Sequence, residues 1–155
     1  MKPLDLTPRL AAVAAQVPPG ARLADVGTDH AYLPVWLLLA GRIVGAVATD
    51  VNQGPLQRGQ ETAQRYGVAH RMDFRRCDGL AALSPGEVDT VVIAGMGGQT
   101  IAGIVERGRD MLKNARLVLQ PNVAAPELRA RLQAAHFRIT NEVIARDGRR
   151  LYVII

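Results

Sequence analysis

Leu23-Ala24-Asp25-Val26-Gly27-Thr28-Asp29-His30-Ala31-Tyr32-Leu33-Pro34 is the stretch that decides the fold. A short apolar run, Leu23 to Val26, carries an acid and meets a glycine. A polar turn follows, then a segment that suits a helix. This is the order of a first β-strand and ligand-gripping loop in an open α/β sheet, where ligands lie beyond the carboxyl ends of the strands. Asp25, Asp29 and His30 crowd this loop. Core packing does not ask for that density, because buried acids are costly unless paired or hydrogen-bonded.

Working outward, Leu6, Leu10, Val13 and Val17 share one helical face, so a helix is expected over 6–17 until Pro18-Pro19-Gly20 stops it. A second helix is expected from Ala31 to Ala40, with Pro34 tolerable in its first turn and Gly41 closing it. Ile43 to Thr49 reads as a strand ending at Asp50. Asn52 can cap the next helix, which is expected to run to Tyr66 with Gly67 ending it. His70 to Arg76 is the expected third strand, before the turn Asp78-Gly79-Leu80. Val88 to Ala94 is rich in Val and Ile, as central parallel strands are. Gly95-Met96-Gly97-Gly98 follows, then a helix over Gln99 to Arg107. Leu117 to Leu119 is a fifth strand, ending at Gln120-Pro121-Asn122. A helix over Glu127 to Ala135 precedes two strands, Phe137 to Ala145 and Leu151 to Ile155, around Asp147-Gly148. The alternation predicts one α/β domain over 1–155, a mostly parallel sheet with helices on both faces.

Composition narrows the class. The chain is 48% hydrophobic but only 4% aromatic, so its core must be built from Val, Leu, Ile and Ala. No apolar run approaches the ~20 residues of a membrane span. The first residues lack the pattern of a secretory signal. Cys77 is the single cysteine, which rules out an intrachain disulfide and suits the cytoplasm. Neither Cys77 nor His30, His70 and His136 has metal-ligand spacing, so no metal is expected. The phosphate-loop and nucleophile-elbow patterns are absent. A net charge of +5 favours an anionic partner, nucleic acid first.

The chemistry-bearing positions gather at the predicted strand ends. Gly27 lets a backbone approach a ligand, and the following helix offers free N–H groups. The dinucleotide fingerprint is missing, for Asp29 stands where its second glycine would be. A carboxylate there repels a pyrophosphate and suits a ligand with an amino group or a cationic centre; S-adenosylmethionine has both. Asp50 can accept hydrogen bonds from ribose hydroxyls. Asp78-Gly79 suits an adenine amine, or is simply a turn. The three glycines around Met96 weaken a buried strand's end unless something must come close. Met96 offers a soft wall to a purine, and Gln120 and Asn122 offer amides to a base edge.

Taken together, Arg9-Leu10, Ala24 to Pro34, Gly54-Pro55, Asp78-Gly79-Leu80, Ile93 to Gly98 and Leu119 to Asn122 resemble the bacterial tRNA (adenine-N1)-methyltransferases that modify adenine 22. The resemblance runs in order over almost the whole chain. It implies a Rossmann-like, seven-stranded class I methyltransferase fold that binds S-adenosylmethionine, releases S-adenosylhomocysteine and uses no metal. It assigns the cofactor to Asp25, Gly27, Thr28, Asp50, Val51, Asp78, Gly79, Leu80, Ala94, Gly95, Met96, Gly97 and Gly98. It turns Asp29, His30, Tyr32 and Asn122 toward the target base, and gives Arg9 to the RNA. The implied partner is tRNA, with neither membrane nor DNA expected.

Departures from the family pattern are Thr28 for Ser, Asp50 for Glu and Cys77 for Gly. The family's C-terminal helical domain has no counterpart in these residues. The active-face loops contain no Lys or Arg, so the expected phosphate grip comes from the rim: Lys2, Arg9, Arg58, Arg65, Arg107, Arg109 and the Arg-rich C-terminal third. Two other readings stay open on sequence. One is a methyltransferase of a small molecule; the other is a non-catalytic cofactor- or RNA-binding module.

Overall fold

A computed structural model describes all residues 1–155. Helix α1 (Pro8–Gln16) starts where the Thr7 hydroxyl accepts from the Leu10 N–H, with Pro8 in its first turn. Strand β1 (Ala21–Val26) leads into α2 (Tyr32–Leu39), an apolar helix that is largely buried. Strand β2 (Ile43–Asp50), α3 (Gln53–Arg65) and β3 (Met72–Arg76) follow. Then come β4 (Thr90–Met96), α4 (Gly98–Arg107), the short α5 (Arg109–Leu112), β5 (Arg116–Pro121) and α6 (Ala125–Ala134). The hairpin β6 (Val143–Asp147) and β7 (Arg150–Ile154) comes after them.

The main sheet has five parallel strands in the order β3-β2-β1-β4-β5. Side chains alternate across it with the two-residue period of a strand. Leu23, Val92 and Val118 pack on the face covered by α1 and α2. Ala24, Ile93 and Leu119 pack on the other face, against Ile101 of α4 and Leu128 of α6. The strand order turns back at β1, so the chain leaves β1 and β4 in opposite directions and opens a crevice between their carboxyl ends. No helix is long and apolar enough to cross a membrane.

The expectation of one seven-stranded sheet is corrected here: five strands form the sheet, and β6 and β7 form a separate antiparallel pair. A single rung joins the two. Leu119 and Ile155 exchange both backbone hydrogen bonds, each 2.8 Å. The strand expected over Phe137 to Ala145 is paired only from Val143 onward. Its first half keeps the alternating pattern, but no strand lies beside it to complete a ladder. The third strand begins at Met72 rather than His70, because Ala69–Arg71 are taken up in a 3-10 turn. Helix α5 was not expected from the sequence; it lies directly beyond Gly108, which packs against Leu80.

Candidate active site

The loop after β1 is pinned to β2. The N–H groups of Gly27 and Thr28 both donate to the Thr49 carbonyl, at 2.8 and 3.0 Å. Gly27 has φ +72°, and a Cβ there would run into the Met96 side chain, so this glycine lets the β1 loop meet the end of β4. Asp25 is 6% exposed, and its carboxylate accepts from the Thr28 hydroxyl at 2.7 Å. Burial pushes its pKa up, the Thr28 bond pulls it down and the nearby Asp50 carboxylate pushes it up, and together they raise it from 3.8 to about 6.

Asp50 ends β2 and accepts from the Asn52 N–H at 3.0 Å. Its own carbonyl accepts from the Cys77 N–H, and the Thr49 hydroxyl donates to the Gly79 carbonyl at 3.2 Å. These bonds bring the Asp78-Gly79-Leu80 turn beside Asp50. Leu80 itself is 2% exposed and lies in the core; Val51 is exposed. Asp78 reaches the Arg107 guanidinium of α4 at 3.6 Å. Two neighbouring carboxylates, one buried and one at the rim, make an acidic cluster beyond β1 and β2. Those acceptors suit hydroxyl groups and a cationic centre, and they oppose a pyrophosphate.

The loop after β4 divides in two. Gly95 (φ +82°) lies under the Arg9 guanidinium, and Met96 accepts from the Asn122 N–H at 2.8 Å. Ala94 is half-buried where β4 meets β5, and Gly97 precedes α4. Gly98 is buried; its N–H donates to the Val123 carbonyl at 2.8 Å, and a Cβ would strike the Ala124 carbonyl. The close approach that needs Gly98 is thus to the protein's own backbone.

Asn122 belongs to a chain of fixed polarity. Arg9, which can only donate, gives a hydrogen bond to Gln120 Oε1 at 2.5 Å. Gln120, fully buried, gives its Nε2–H to Asn122 Oδ1 at 3.1 Å. Asn122 gives its Nδ2–H to the Gly95 carbonyl at 2.9 Å, an acceptor only. A donor at one end and an acceptor at the other fix both side-chain amides, which would otherwise be free to flip. One N–H and one lone pair of Asn122 remain for a ligand. Arg9 also lies 5.8 Å from the Tyr152 ring centroid, which ties the network to the hairpin.

A second group forms at the start of α2. Asp29 is exposed, at φ +52°, and pairs with Arg58 of α3 at 3.1 Å. His30 Nε2 is 3.9 Å from the same carboxylate, and its ring stacks on Tyr32 at 5.0 Å and 5°. Asp29, His30 and Tyr32 are therefore together, whereas Asn122 sits with Gly95 and makes no hydrogen bond to them. Sequence reading missed the partners. Arg58, Arg107 and Arg9 reach the strand-end loops from α3, α4 and α1, and only the packing of helices over the sheet shows it. Gln120 was legible as an amide at a strand end, but its linking role was not. No group of three or more His, Cys, Asp or Glu side chains is placed to hold a metal ion.

Comparison with known proteins agrees with this fold. The methyltransferase domain family matches residues 6–155. The tRNA (adenine(22)-N(1))-methyltransferase of Bacillus subtilis is 38% identical, over 100% of this chain and 66% of that protein. The crystal structure of the B. subtilis M1A22 tRNA methyltransferase TrmK superposes with a TM-score of 0.94, at 38% identity, covering 98% of this chain and 65% of that one. Streptococcus pneumoniae Sp1610, solved in complex with S-adenosyl-L-methionine, gives 0.93 at 41% identity, covering 97% and 71%. The fold and its crevice define a methyltransferase domain of the Rossmann-like class. Within that class, the chain belongs to the family of the bacterial tRNA (adenine(22)-N(1))-methyltransferases. It spans about two thirds of the length of the B. subtilis relative.

Proposed function

We propose that this chain binds S-adenosylmethionine and transfers its methyl group to N1 of an adenine in tRNA, at position 22, in the cytoplasm. The observation that carries the reading is the pair Asp25 and Asp50, held side by side beyond β1 and β2 around Gly27. The Mycoplasma capricolum TrmK solved with S-adenosyl-homocysteine, 28% identical with a TM-score of 0.88, supports the same ligand class. When bound, S-adenosylmethionine supplies an electrophilic sulfonium methyl that the adenine N1 lone pair takes in line, leaving S-adenosylhomocysteine and a cationic base.

The chain's residues then have separable tasks. Asp50 accepts from the ribose hydroxyls, and Asp25 faces the cationic end. Thr28 holds the Asp25 carboxylate. Gly27 and Gly95 admit the ligand near the backbone, Met96 walls the purine, and Val51 and the Asp78-Gly79 turn border the adenine of the cofactor. Asn122 holds the target base by its edge, while His30 and Tyr32 offer a stacked pair to its face. Asp29 balances the charge that grows on the methylated base; its exposed pairing with Arg58 is a weak competitor. No proton has to leave N1, so positioning is the main contribution, and in well-oriented cases it amounts to ~7–11 kcal/mol. The target base must be unstacked to reach the crevice, at a cost of a few kcal/mol.

Titration calorimetry tests the reading. S-adenosylmethionine and S-adenosylhomocysteine should each form a one-to-one complex with the folded chain. Asp50→Ala should weaken both by roughly 1–3 kcal/mol, the loss of a charged hydrogen-bond partner. Absence of heat with either ligand ends the methyltransferase reading. A tRNA methylation assay beside an electrophoretic shift separates a tRNA enzyme from an enzyme of small molecules.

A further inference from the structure

The loops that leave β4 and β5 are laced to each other. The Asn122 N–H donates to the Met96 carbonyl and the Gly98 N–H to the Val123 carbonyl, both at 2.8 Å. Ala124 makes a left-handed turn at φ +60°, and Gly98 fits beneath its carbonyl because it carries no Cβ. Two exposed side chains are set out on this frame, Asn122 and Val123. Val123 is 67% exposed and lies over Gly97. A branched apolar side chain in water beside a half-used amide suits a flat ligand with a polar edge.

The Asn122 amide has only one way to present itself. Its Oδ1 already accepts from Gln120, and its Nδ2 already donates to the Gly95 carbonyl. Arg9 holds Gln120 from the other side, so neither amide can turn over. One N–H and one lone pair are left. Adenine answers such a pair on two edges. On the Watson–Crick edge the N–H would sit on N1 and occupy the lone pair that has to attack. On the Hoogsteen edge the N–H meets N7, and the lone pair takes the N6–H. Guanine shows two acceptors there, N7 and O6, and O6 would face the Asn122 oxygen.

We infer that Asn122 reads the target adenine by its Hoogsteen edge, N6–H and N7, with Val123 against one face, and so leaves N1 bare. This rests on the methyl-transfer reading above and specifies how its substrate is chosen. The fixed polarity from Arg9 through Gln120 to Asn122 selects adenine over guanine. Methylation at N1 leaves the Hoogsteen edge intact, so this contact holds substrate and product alike.

Nucleosides with single-atom changes test the contact without any substitution in the protein. They are titrated into the ¹⁵N-labelled chain saturated with S-adenosylhomocysteine, and the side-chain amide signal of Asn122 is followed. Adenosine should move that signal. 1-Methyladenosine, which keeps N7 and an exocyclic N–H, should bind about as tightly as adenosine. 7-Deazaadenosine, which lacks the N7 acceptor, and guanosine should each bind about tenfold more weakly, within the range that a bidentate base contact discriminates. In Asn122→Ala the difference between adenosine and 7-deazaadenosine should vanish, and Val123→Ser should weaken both alike. Equal binding of adenosine and 7-deazaadenosine by the parent chain overturns the assignment. Loss of 1-methyladenosine binding also overturns it, because the Watson–Crick edge is then the one read. An Asn122 signal that adenosine leaves in place, or a Val123→Ser chain with unchanged affinities, does the same. A chain that does not bind S-adenosylhomocysteine ends the methyl-transfer reading itself; a chain that binds it and fails these titrations loses the Hoogsteen contact alone.

Discussion

Asp25 and Glu87 show two carboxylates with opposite effects on stability. Burial raises Asp25 to about 6, above its ordinary 3.8, so the folded state holds that proton more tightly than the unfolded chain does. Its contribution is fully present below pH ~4 and is lost as pH rises through ~6. A shift of about two units corresponds to about 3 kcal/mol. Asp25→Asn should therefore stabilise the ligand-free chain at pH 7.5 by up to that amount, and hardly at all at pH 4. Urea unfolding at the two pH values measures the difference. The same proton must leave if Asp25 is to face a cation, so affinity for S-adenosylmethionine should fall toward tenfold per pH unit below ~6. Flat calorimetric affinity between pH 5 and 7.5 removes Asp25 from the ligand. Glu87 is the reverse case, held below its ordinary range by the Arg75 guanidinium at 2.6 Å, and its contribution is lost as the solution is acidified. At Asp29, replacement by Asn should leave cofactor affinity near the parent and slow methyl transfer; a normal rate makes that carboxylate structural. Asp25, Gly27 and Asp50 were legible in the sequence because an acid and a glycine at a strand end leave few alternatives. The Arg58 partner of Asp29 was not, because 29 residues of chain separate the two and only the packing of α3 joins them.

At the level of elements, helix ends followed from breaking residues such as Pro18 and Gly67, and strand centres from runs of Val, Ile and Leu; Asn52, expected as the cap of α3, stands at the N-cap position but its side chain makes no capping bond. What could not be read was pairing. Phe137 to Ala145 has a strand's alternation throughout, yet a ladder forms only where β7 supplies a partner. Two substitutions test the elements that frame the crevice. Gly98→Ala puts a methyl against the Ala124 carbonyl at the α4–α6 contact. It should destabilise the fold by about 1–3 kcal/mol, the usual cost of overpacking, with thermal unfolding as the measurement. Gln120→Glu keeps the shape and the Arg9 bond but cannot donate to Asn122 Oδ1. The fixed orientation of the Asn122 amide is then lost. Methyl transfer should drop about tenfold, the scale of one hydrogen bond, while the cofactor binds as before. Unchanged transfer by a folded Gln120→Glu chain shows that the amide chain serves packing alone.

Over the whole molecule, charge and topology set what the sequence could announce. A net charge of +5 was legible; with no Lys or Arg in the active-face loops themselves, it predicts weak tRNA binding whose affinity falls steeply with added salt as counterions are released. Gel shifts at two salt concentrations check this; tight, salt-insensitive binding would move the RNA surface elsewhere. The order β3-β2-β1-β4-β5 was not legible, because strand order depends on which way each crossover turns. The α1 helix brings together chain regions that are made far apart in time. Arg9 donates to Gln120, its N–H reaches Asp147 at 3.4 Å, and its guanidinium faces Tyr152. Gln16 accepts from Asn141 at 3.0 Å. A ribosome adding ~5–20 residues per second needs roughly 7–30 s to pass from Arg9 to Tyr152. For that interval the nascent chain carries the first loop of its crevice without the groups that fix Arg9 above it. Vectorial synthesis thus holds back the seating of Arg9 until residues far along the chain, out to Tyr152, have been made.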